Sequence, residues 1–226
     1  MKMTANSVSA GKAISIFDAV INPELATTKR DVILSAATRV FLRNGYSGSS
    51  MDLVATEAKV ARRTLYNQFP EGKEALFRSV IERVWSAFPI NDIVAKAETV
   101  SDPEVGLKHI ATAVAEFWQP QPAIDFFRMI IAEGPRFPDL VQSFFDNGKT
   151  PAMNAIRSYL EKLHELKKLN ILDSERATRQ FLGLIDEPLL WIRIIGRHEV
   201  FSPAQRKKVV DEAVEIFLGY YGIPSH

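Results

Sequence analysis

A basic and aromatic segment near residue 65 carries the side chains best suited to chemistry in this chain. Within two helical turns it contains Arg62, Arg63 and Asn67, together with the hydroxyl groups of Thr64 and Tyr66. Arginine can pair with guanine and asparagine with adenine through two hydrogen bonds, whereas hydroxyl groups can bind phosphate oxygens of any sequence. The segment therefore has the composition of a surface that reads double-stranded DNA.

Signals on both sides of this segment predict a helix-turn-helix. Ser49 lies three residues before Asp52, a spacing typical of a helix start, because a hydroxyl group can cap a backbone N–H while the carboxylate faces the positive end of the helix. One short helix is expected over 51–58 and a second over 61–68, which Pro70 ends. In such a pair the second helix can lie in the DNA major groove.

Periodic apolar residues predict helices along the remainder of the chain, and no stretch has the alternation of a β-strand. The fold class is therefore predicted to be all-α. A helix over 28–44 would complete a homeodomain-like three-helix unit, and residues 1–27 would form a loose arm, with a docked turn suggested by the spacing of Ile14, Phe17 and Ile21. Further helices are expected over 72–88, 101–118, 125–133, 138–147, 150–168, 174–196 and 203–221.

Charge is distributed unevenly along the sequence. The whole chain has a net charge of +1, but residues 27–88 contain ten Lys/Arg against six Asp/Glu, a net charge of +4. Residues 89–226 contain sixteen against nineteen, a net charge of −3, and the first 26 residues balance. The positive charge thus belongs to the segment with the predicted helix-turn-helix, as expected for a surface that binds nucleic acid.

Composition excludes several other classes of protein. The 226 residues contain no cysteine, which excludes disulfide bonds and thiolate metal sites and fits a reducing compartment. No run of about 18 uncharged apolar residues could cross a bilayer, and no signal peptide is recognisable. The sequence therefore predicts a cytoplasmic protein with no membrane partner, no cofactor and no metal.

Two segments resemble known families. The segment FLRNGYSGSSMDLVATEAKVARRTLYNQFPEGKEALF resembles the DNA-binding region of the TetR family of bacterial transcriptional regulators. The matching positions are Phe41, Gly45, Tyr46, Ser49, Ser50, Val60, Thr64, Leu65, Tyr66, Phe69, Lys73, Glu74 and Leu76. A later segment, FFRMIIAEGPRFPDLVQSFFDNG, resembles the ligand-domain region of the AefR-like branch. The resemblance implies a DNA-binding domain at residues 28–75 and a helical domain for effector binding and dimerisation at 76–226.

The resemblance also implies roles for individual residues. The predicted DNA-binding set comprises a helix start (Ser49 and Ser50), base-reading candidates (Arg62, Arg63 and Asn67) and phosphate ligands (Thr64, Tyr66 and Lys73). The chain departs from the family pattern at Lys59, where glycine is usual in the turn, and at Ala61, where serine usually opens the second helix. Lys59 must therefore adopt a strained φ or the turn must follow a slightly different path. An extra residue at Glu71–Gly72 can shift the position of Lys73.

A homodimer is expected on physical grounds, because one three-helix unit reads too few base pairs to specify a binding site in a genome. Half-sites about 34 Å apart would give a pseudo-palindromic operator. The last two helices are predicted to form the interface, since residues 181–195 are apolar nearly all round; a buried central helix is the alternative. Pro188 should kink this helix. The predicted interface residues are Phe181, Ile185, Leu189, Ile192, Val210 and Phe217.

A small-molecule effector is the other expected partner. Aromatic side chains are concentrated in the middle of the chain, where they either line a ligand site or simply fill the core. The predicted ligand-binding residues are Trp85, Phe88, Phe117, Trp118, Phe126, Phe127 and Met129. A ligand there would favour a conformation in which the two DNA-reading helices of the dimer are wrongly spaced, so a repressor would leave its operator.

Two rival functions depend on other features. Glu161 and His164 have the Glu-x-x-His spacing of di-iron helical bundles, but the sequence has no second such pair, so His164 is interpreted as an exposed polar residue. The acids Asp186 and Glu187 are interpreted as facing polar neighbours or a helix end, and a buried acid pair is the alternative. A phosphate-binding glycine loop and a nucleophile elbow are both lacking. An enzyme is therefore not predicted, and the main alternative is a ligand-binding helical dimer that does not bind DNA.

Overall fold

Helices make up nearly all regular structure of the protein. The structure, a computed structural model, describes residues 20–88, 90–95, 102–196 and 199–223. Within these ranges the only β-type pairing is a single antiparallel bridge between Leu169 and Gly222. The prediction of an all-α fold is confirmed. Over the same ranges, no helix is long and apolar enough to cross a membrane.

Four helices form the N-terminal part: α1 (Lys29–Asn44), α2 (Met51–Ala58), α3 (Arg62–Gln68) and α4 (Lys73–Ser86). We call α1–α3 the three-helix unit. The C-terminal domain contains α5 (Ile90–Ala95), α6 (Pro103–Phe117), α7 (Gln121–Glu133), α8 (Pro138–Phe144), α9 (Thr150–Glu165), α10 (Ser174–Asp186), α11 (Ile192–Ile194) and α12 (Pro203–Tyr221). The sequence pattern did not predict α5, and α11 falls inside the helix predicted over 174–196; the other helices begin within four residues of the predicted positions.

A capped start and an apolar centre hold the three-helix unit together. The backbone N–H of Asp31 donates to the Thr28 hydroxyl at 3.1 Å, and the backbone N–H of Thr28 donates to the Asp31 carboxylate at 3.1 Å. This reciprocal capping box satisfies two backbone donors at the start of α1. Phe41, Leu65 and Phe69 are buried at the centre of the unit. Helix α3 is therefore fixed by one face, and its other face is left to solvent.

Helix α4 connects the three-helix unit to the C-terminal domain. The Phe77 ring lies edge-on to Phe41 and to Tyr46, with centroids 5.2 Å apart in both pairs, and it stacks on Phe126 of α7 at 6.2 Å. Arg83 donates to the Asp31 carboxylate at 2.8 Å. The predicted domain boundary between residues 75 and 76 falls inside this continuous helix. Helix α4 thus contributes to the core of both parts of the protein.

Two π-helical turns interrupt the C-terminal helices. The turn Phe145–Lys149 joins α8 to α9, so the break predicted before Thr150 does not exist and the helical path continues. The turn Glu187–Trp191 follows α10 and contains Pro188, the residue predicted to disturb this helix. Proline lacks the N–H that a regular α-helical turn requires, and a π-turn accommodates the gap.

Two helices of the C-terminal domain begin at other residues than predicted. Asp102 caps α6 by accepting from the backbone N–H of Glu104 at 3.0 Å, whereas the predicted start, Ser101, lies outside the described residues. Helix α7 starts at Gln121 rather than at residue 125. Pro122 lies in its first turn, where a backbone N–H has no helical partner in any case.

The described part of the N-terminal arm is docked on α1. Val20 is buried, and Arg39 donates to the carbonyl oxygen of Ile21 at 2.8 Å. The predicted turn around Ile14 and Phe17 lies outside the described residues, as does the remainder of 1–19. The end of the arm next to α1 is therefore part of the folded protein.

Candidate nucleic-acid interface and aromatic cavity

The turn between α2 and α3 contains a residue in a left-handed conformation. Lys59 has φ 54° and ψ 41°, and its backbone N–H donates to the carbonyl oxygens of Ala55 and Thr56. A side chain other than glycine is strained there, at a cost of about 1–2 kcal/mol. Of the two possibilities predicted for Lys59, the structure has the strained φ. The Lys59 side chain is exposed beside α3.

Most of the predicted DNA-binding residues of α3 share one exposed face. Arg62, Arg63, Tyr66 and Asn67 are exposed, and Thr64 is half-buried. Ala61 precedes the helix without a side-chain cap, as its residue type predicts. The exposed face thus combines two guanidinium groups, one amide and one phenol.

The two arginines of α3 differ in their partners. Arg62 Nε lies 2.5 Å from Asp52 Oδ1 on α2. Arg63 forms no ion pair with any residue in the described ranges. Arg62 would have to give up its contact with Asp52 to reach a base, whereas Arg63 is available at once.

Adjacent serines before α2 have different roles. Ser50 is the cap: its hydroxyl accepts from the backbone N–H of Leu53 at 3.2 Å, and the residue is exposed. Ser49 is buried, and its hydroxyl donates to the carbonyl oxygen of Gly45 at 2.6 Å. The predicted pairing of Ser49 with Asp52 is therefore corrected by one residue. The Ser49 side chain is turned inward, away from any DNA.

Lys73 is also turned inward, in contrast to the phosphate contact predicted for it. Its Nζ donates to the carbonyl oxygens of Tyr46 at 2.9 Å and Ser49 at 3.1 Å, and lies 4.2 Å from the centre of the Tyr46 ring. Burial lowers the pKa of Lys73, and the nearby carboxylates of Glu133 and Glu74 oppose this effect. The ammonium group therefore braces the loop between α1 and α2.

The same loop is held from the other side by the C-terminal domain. Glu133, at the end of α7, accepts hydrogen bonds from the backbone N–H of Ser47 at 3.0 Å and from its hydroxyl at 2.9 Å. These bonds hold the pKa of Glu133 below its usual value. Gly45 has φ 71°, and a Cβ there would lie 2.8 Å from Glu133 Oε1. A side chain at position 45 would be strained by the positive φ and would displace the Glu133 carboxylate.

An aromatic cavity of about 80 Å³ lies where α4, α6, α7, α9 and α10 meet. Its lining residues are Trp85, Phe88, Val114, Phe117, Trp118, Phe127, Lys149, Ala152, Met153, Ile156, Leu182, Asp186, Leu190 and Trp191. Five of the seven predicted ligand-binding residues belong to this set. Phe126 and Met129 do not, because both are buried elsewhere, Phe126 against Phe77.

The aromatic cavity contains a buried acid, Asp186. Asp186 is half-buried as a residue, but its Oδ1 is sealed from solvent and has no hydrogen-bond partner among the described residues. Burial raises the pKa of Asp186 to about 6, and the charge of Lys149 opposes the rise. Asp186 is thus a buried acid at the end of α10, with Lys149 nearby, whereas Glu187 is exposed. The position of this acid within an otherwise apolar helical stretch is the feature of the sequence that indicates its burial.

Trp85 links the cavity to α4 through a close contact. Its ring stacks on Phe117 at 5.1 Å, and its buried Nε1 has no hydrogen-bond acceptor among the described residues. A Cβ on Gly148, in the π-turn before α9, would lie only 2.0 Å from Trp85 Nε1. The indole therefore packs directly on the backbone of this turn.

Most of the predicted interface residues lie on the inner side of their helices. Phe181, Ile185, Leu189, Val210 and Phe217 are buried within the protomer's own core, and Ile192 is partly buried. Their large side chains pack between α10 and α12, for example Phe181 on Phe217 with centroids 5.0 Å apart. The predicted set thus describes the inner stripe of these helices. Phe217 also lines the floor of an outer groove between the same two helices.

An exposed apolar groove runs along the outer side of the same two helices. Ile216 and Tyr220 of α12 are 57% and 74% exposed, and Leu184 of α10 lies opposite them. Gly183 and Gly219 have open space where a Cβ would be, so another chain can approach the backbone closely. The second apolar stripe, rather than the first, is therefore available to a partner.

The features considered for an enzyme have structural roles. The backbone N–H of Ile171 donates to Nδ1 of His164 at 3.2 Å, and Ser174 donates to Glu161 at 2.7 Å, so both side chains fix the segment between α9 and α10. Over the described ranges, His, Asp and Glu side chains form no group of three that could hold a metal ion. His198 and His226 lie outside these ranges.

Comparisons with known proteins agree with both parts of the fold. A family model described as bacterial regulatory proteins of the tetR family matches residues 33–80. A second model, described as the C-terminal domain of AefR-like transcriptional repressors, matches residues 105–223. The HTH-type transcriptional repressor NicS of Pseudomonas putida KT2440 is 32% identical over 103 residues, which cover 45% of this chain and 47% of NicS. The matched segment thus spans less than half the length of the curated relatives.

Solved structures match over nearly their whole length. A TetR-family transcriptional regulator from Mesorhizobium loti MAFF303099 superposes with a TM-score of 0.73 and 28% identity, covering 86% of this chain and 97% of its own. The Flavonoid-responsive Regulator FrrA gives a TM-score of 0.71 and 26% identity, over 87% and 98% of the two chains. These relatives are regulators and not enzymes. With family matches in both its N-terminal and its C-terminal part, the chain belongs to the TetR family of bacterial transcriptional regulators.

Proposed function

We propose that this protein is a ligand-responsive repressor that binds a pseudo-palindromic operator as a homodimer and leaves it when a small molecule occupies the aromatic cavity. The observation that carries the proposal is α4. This helix begins at Lys73, against the loop that positions α2, and its last turn carries Trp85 into the cavity wall. The similarity to NicS, which is named a repressor, supports repression, and the similarity to FrrA, which is named a flavonoid-responsive regulator, supports a response to a ligand. Its place of action would be the cytoplasm, where bacterial DNA lies.

The exposed face of α3 would enter the major groove. Arg63 and Asn67 would read bases. Arg62 would also contact a base edge once its ion pair with Asp52 is broken. Tyr66 and the half-buried Thr64 would bind phosphate groups. The Ser50 hydroxyl would stay at its helix start near the DNA backbone, while the ammonium of Lys59, exposed in the turn, replaces the inward Lys73 as a phosphate partner.

Homodimerisation would bury the apolar groove of α10 and α12. Ile216 and Tyr220 expose apolar surface that has no function in a monomer, and Gly183 and Gly219 permit close approach. Two copies of this surface can form a two-fold symmetric, four-helix contact. In sedimentation experiments, Ile216→Arg should give a monomer that still folds, because its side chain is exposed. An unchanged dimer would argue against this surface.

Release would follow from differential binding to two conformations. A ligand larger than the cavity must move its walls, and Trp85 and the π-turn at Gly148 move together because they are in close contact. Displacement of Trp85 tilts α4, and displacement of α7 pulls on Ser47 through Glu133. Both paths end at the three-helix unit. Effector and operator must then weaken each other's binding by the same factor.

DNA binding can be tested with the fragment upstream of the protein's own gene. Arg63→Ala should lower affinity for the protected site by about 1–3 kcal/mol, roughly 5- to 150-fold, and relax preference at one base position. Arg179→Ala is the matched control, because Arg179 is an exposed arginine on α10, paired with Glu175. Fluorescence anisotropy at several salt concentrations measures both. Equal affinities of the two variants would exclude α3 as the reading helix.

The second candidate is a ligand-binding dimer without DNA binding, favoured by the Arg62–Asp52 contact and by the strained Lys59. Absence of a protected site, together with weak binding that is the same for all sequences, would support that candidate instead.

A further inference from the structure

The aromatic cavity combines two features that conflict energetically. Its walls are largely apolar, yet Asp186 is one of the lining residues, and the Oδ1 atom of this side chain is buried with no hydrogen-bond partner among the described residues. Burial of an acid without a hydrogen-bond partner destabilises a folded protein. A group of this kind in a cavity is a candidate for ligand recognition, since a donor supplied by a ligand would complete it.

The walls favour a flat ring as the body of the ligand. Trp85 and Phe117 stack with their ring planes 26° apart, and Trp118 meets Trp85 edge-on. Aromatic side chains prefer stacked or edge-to-face contacts with other rings. At about 80 Å³ the cavity is small, so a single ring is the natural size and a larger ligand requires movement of Met153 and Leu182.

The charges in the lining disfavour ionic ligands. Lys149 lines the same cavity as Asp186, so a cation that approaches the acid also meets a like charge. An anion is disfavoured in the same way by Asp186 when it is ionised. A neutral molecule avoids both conflicts.

We propose that the cavity binds a neutral, planar aromatic molecule whose hydroxyl or ring N–H group donates a hydrogen bond to Asp186 Oδ1. The proposal rests on the proposed function, because it names the chemical class of the effector at that site. The donor selects the ligand, the rings hold it, and the displaced Trp85 carries the signal to α4.

Two probes of nearly equal size isolate the hydrogen bond: p-cresol carries a hydroxyl group and toluene has hydrogen in its place. In titration calorimetry with the full-length protein, p-cresol should bind about tenfold or more tightly than toluene. Asp186→Leu should reverse this preference, because the carboxylate is replaced by an apolar side chain. Glu187→Gln, a change at the exposed neighbouring acid, should leave the preference as it is.

Each other outcome has a defined meaning. Equal binding of the two probes to the unmodified protein, no binding of either, or an unchanged preference in Asp186→Leu would overturn the proposal. The comparison of probes on the unmodified protein stands even if Asp186→Leu does not fold. Operator binding is measured on the same preparations, so intact DNA binding without a probe preference overturns the ligand class alone, whereas absent DNA binding counts against the proposed function.

Discussion

In the three-helix unit and its bracing loop, Asp31, Ser49 and Lys73 each have a protein partner, whereas in the aromatic cavity Trp85 Nε1 and Asp186 Oδ1 have none among the described residues. The first region meets a partner of constant shape, the DNA backbone, so its polar groups can be committed to holding the fold rigid. We propose that the second region receives a molecule from outside. Its unsatisfied groups raise the free energy of the unoccupied cavity, and a ligand that supplied hydrogen-bond partners would remove this cost.

The largest effect should come from the joint between the two regions. Phe77→Ala removes a ring that packs on Phe41, Tyr46 and Phe126, so the free energy of unfolding should fall by about 3–5 kcal/mol. Urea denaturation followed by circular dichroism measures the loss. Phe145→Ala, at a ring that is 42% exposed, should lose less than about 1 kcal/mol. Similar losses in both variants would show that the two regions are not coupled through Phe77.

The unsatisfied acid should give the stability a characteristic pH dependence. The pKa of Asp186 rises from 3.8 to about 6 on folding, so the native state holds a proton that the unfolded state releases between these values. Stability from this group is present at low pH and is lost as the pH rises toward 6. Asp186→Asn should therefore gain on the order of 3 kcal/mol at pH 7 and much less at pH 4.5. An equal gain at both pH values would mean that the carboxylate is not the cause.

A side chain added at Gly148, where the Trp85 indole packs on the backbone, should destabilise the cavity without altering the exposed residues of α3. Gly148→Ala places a Cβ where the Trp85 indole lies, so the ring must move, at a cost of about 1–3 kcal/mol in the free energy of unfolding. Gly183→Ala has open space and serves as the control in a monomer-forming background such as Ile216→Arg. Operator affinity of Gly148→Ala should fall as well, and thermal unfolding with anisotropy records both. Unchanged operator affinity would separate Trp85 from signalling.

The smallest expected effect concerns the two lysines whose backbone is in the left-handed conformation. Lys59 and Lys167 have φ 54° and 55°, and glycine at either position should raise the free energy of unfolding by about 0.5–1 kcal/mol, the relief of strain less the entropy of glycine. Only Lys59→Gly should also weaken DNA binding and flatten its salt dependence, because Lys167 lies after α9. If Lys167→Gly changed DNA binding equally, Lys59 would have no direct phosphate contact.

The sequence was sufficient to predict the outer face of α3. Leu65 and Phe69 are large and apolar at helical spacing, so they had to be buried, and Arg63, Tyr66 and Asn67 were left on the outside. The starts of α1, α8, α9, α10 and α12 followed from proline and capping residues for the same reason, whereas α5 was not predicted and α6 and α7 begin at other residues than predicted. Apolar spacing and capping residues involve only neighbours along the chain, so they can be recognised in the sequence without knowledge of the fold.

The sequence was not sufficient where two similar residues compete or where a distant partner decides. Ser49 and Ser50 are adjacent and chemically identical, and only the loop path buries one of them. The sequence pattern predicts an exposed Lys73, but its ammonium group donates to backbone carbonyl oxygens of residues that lie 24 and 27 positions earlier in the chain. For α10 and α12 the sequence contains two apolar stripes, and periodicity does not say which of them, Phe181 or Leu184, faces the protomer's own core.

The aromatic walls have one more consequence, which concerns light rather than binding energy. The chain has three tryptophans, and Trp85, Trp118 and Trp191 all line the same cavity. The intrinsic indole fluorescence of this protein therefore originates entirely at the proposed effector site, and none of it comes from the three-helix unit. A shift in tryptophan emission would therefore report occupancy of the cavity without an added label. Binding of DNA in the absence of ligand would change the emission only if it altered the shape of that cavity.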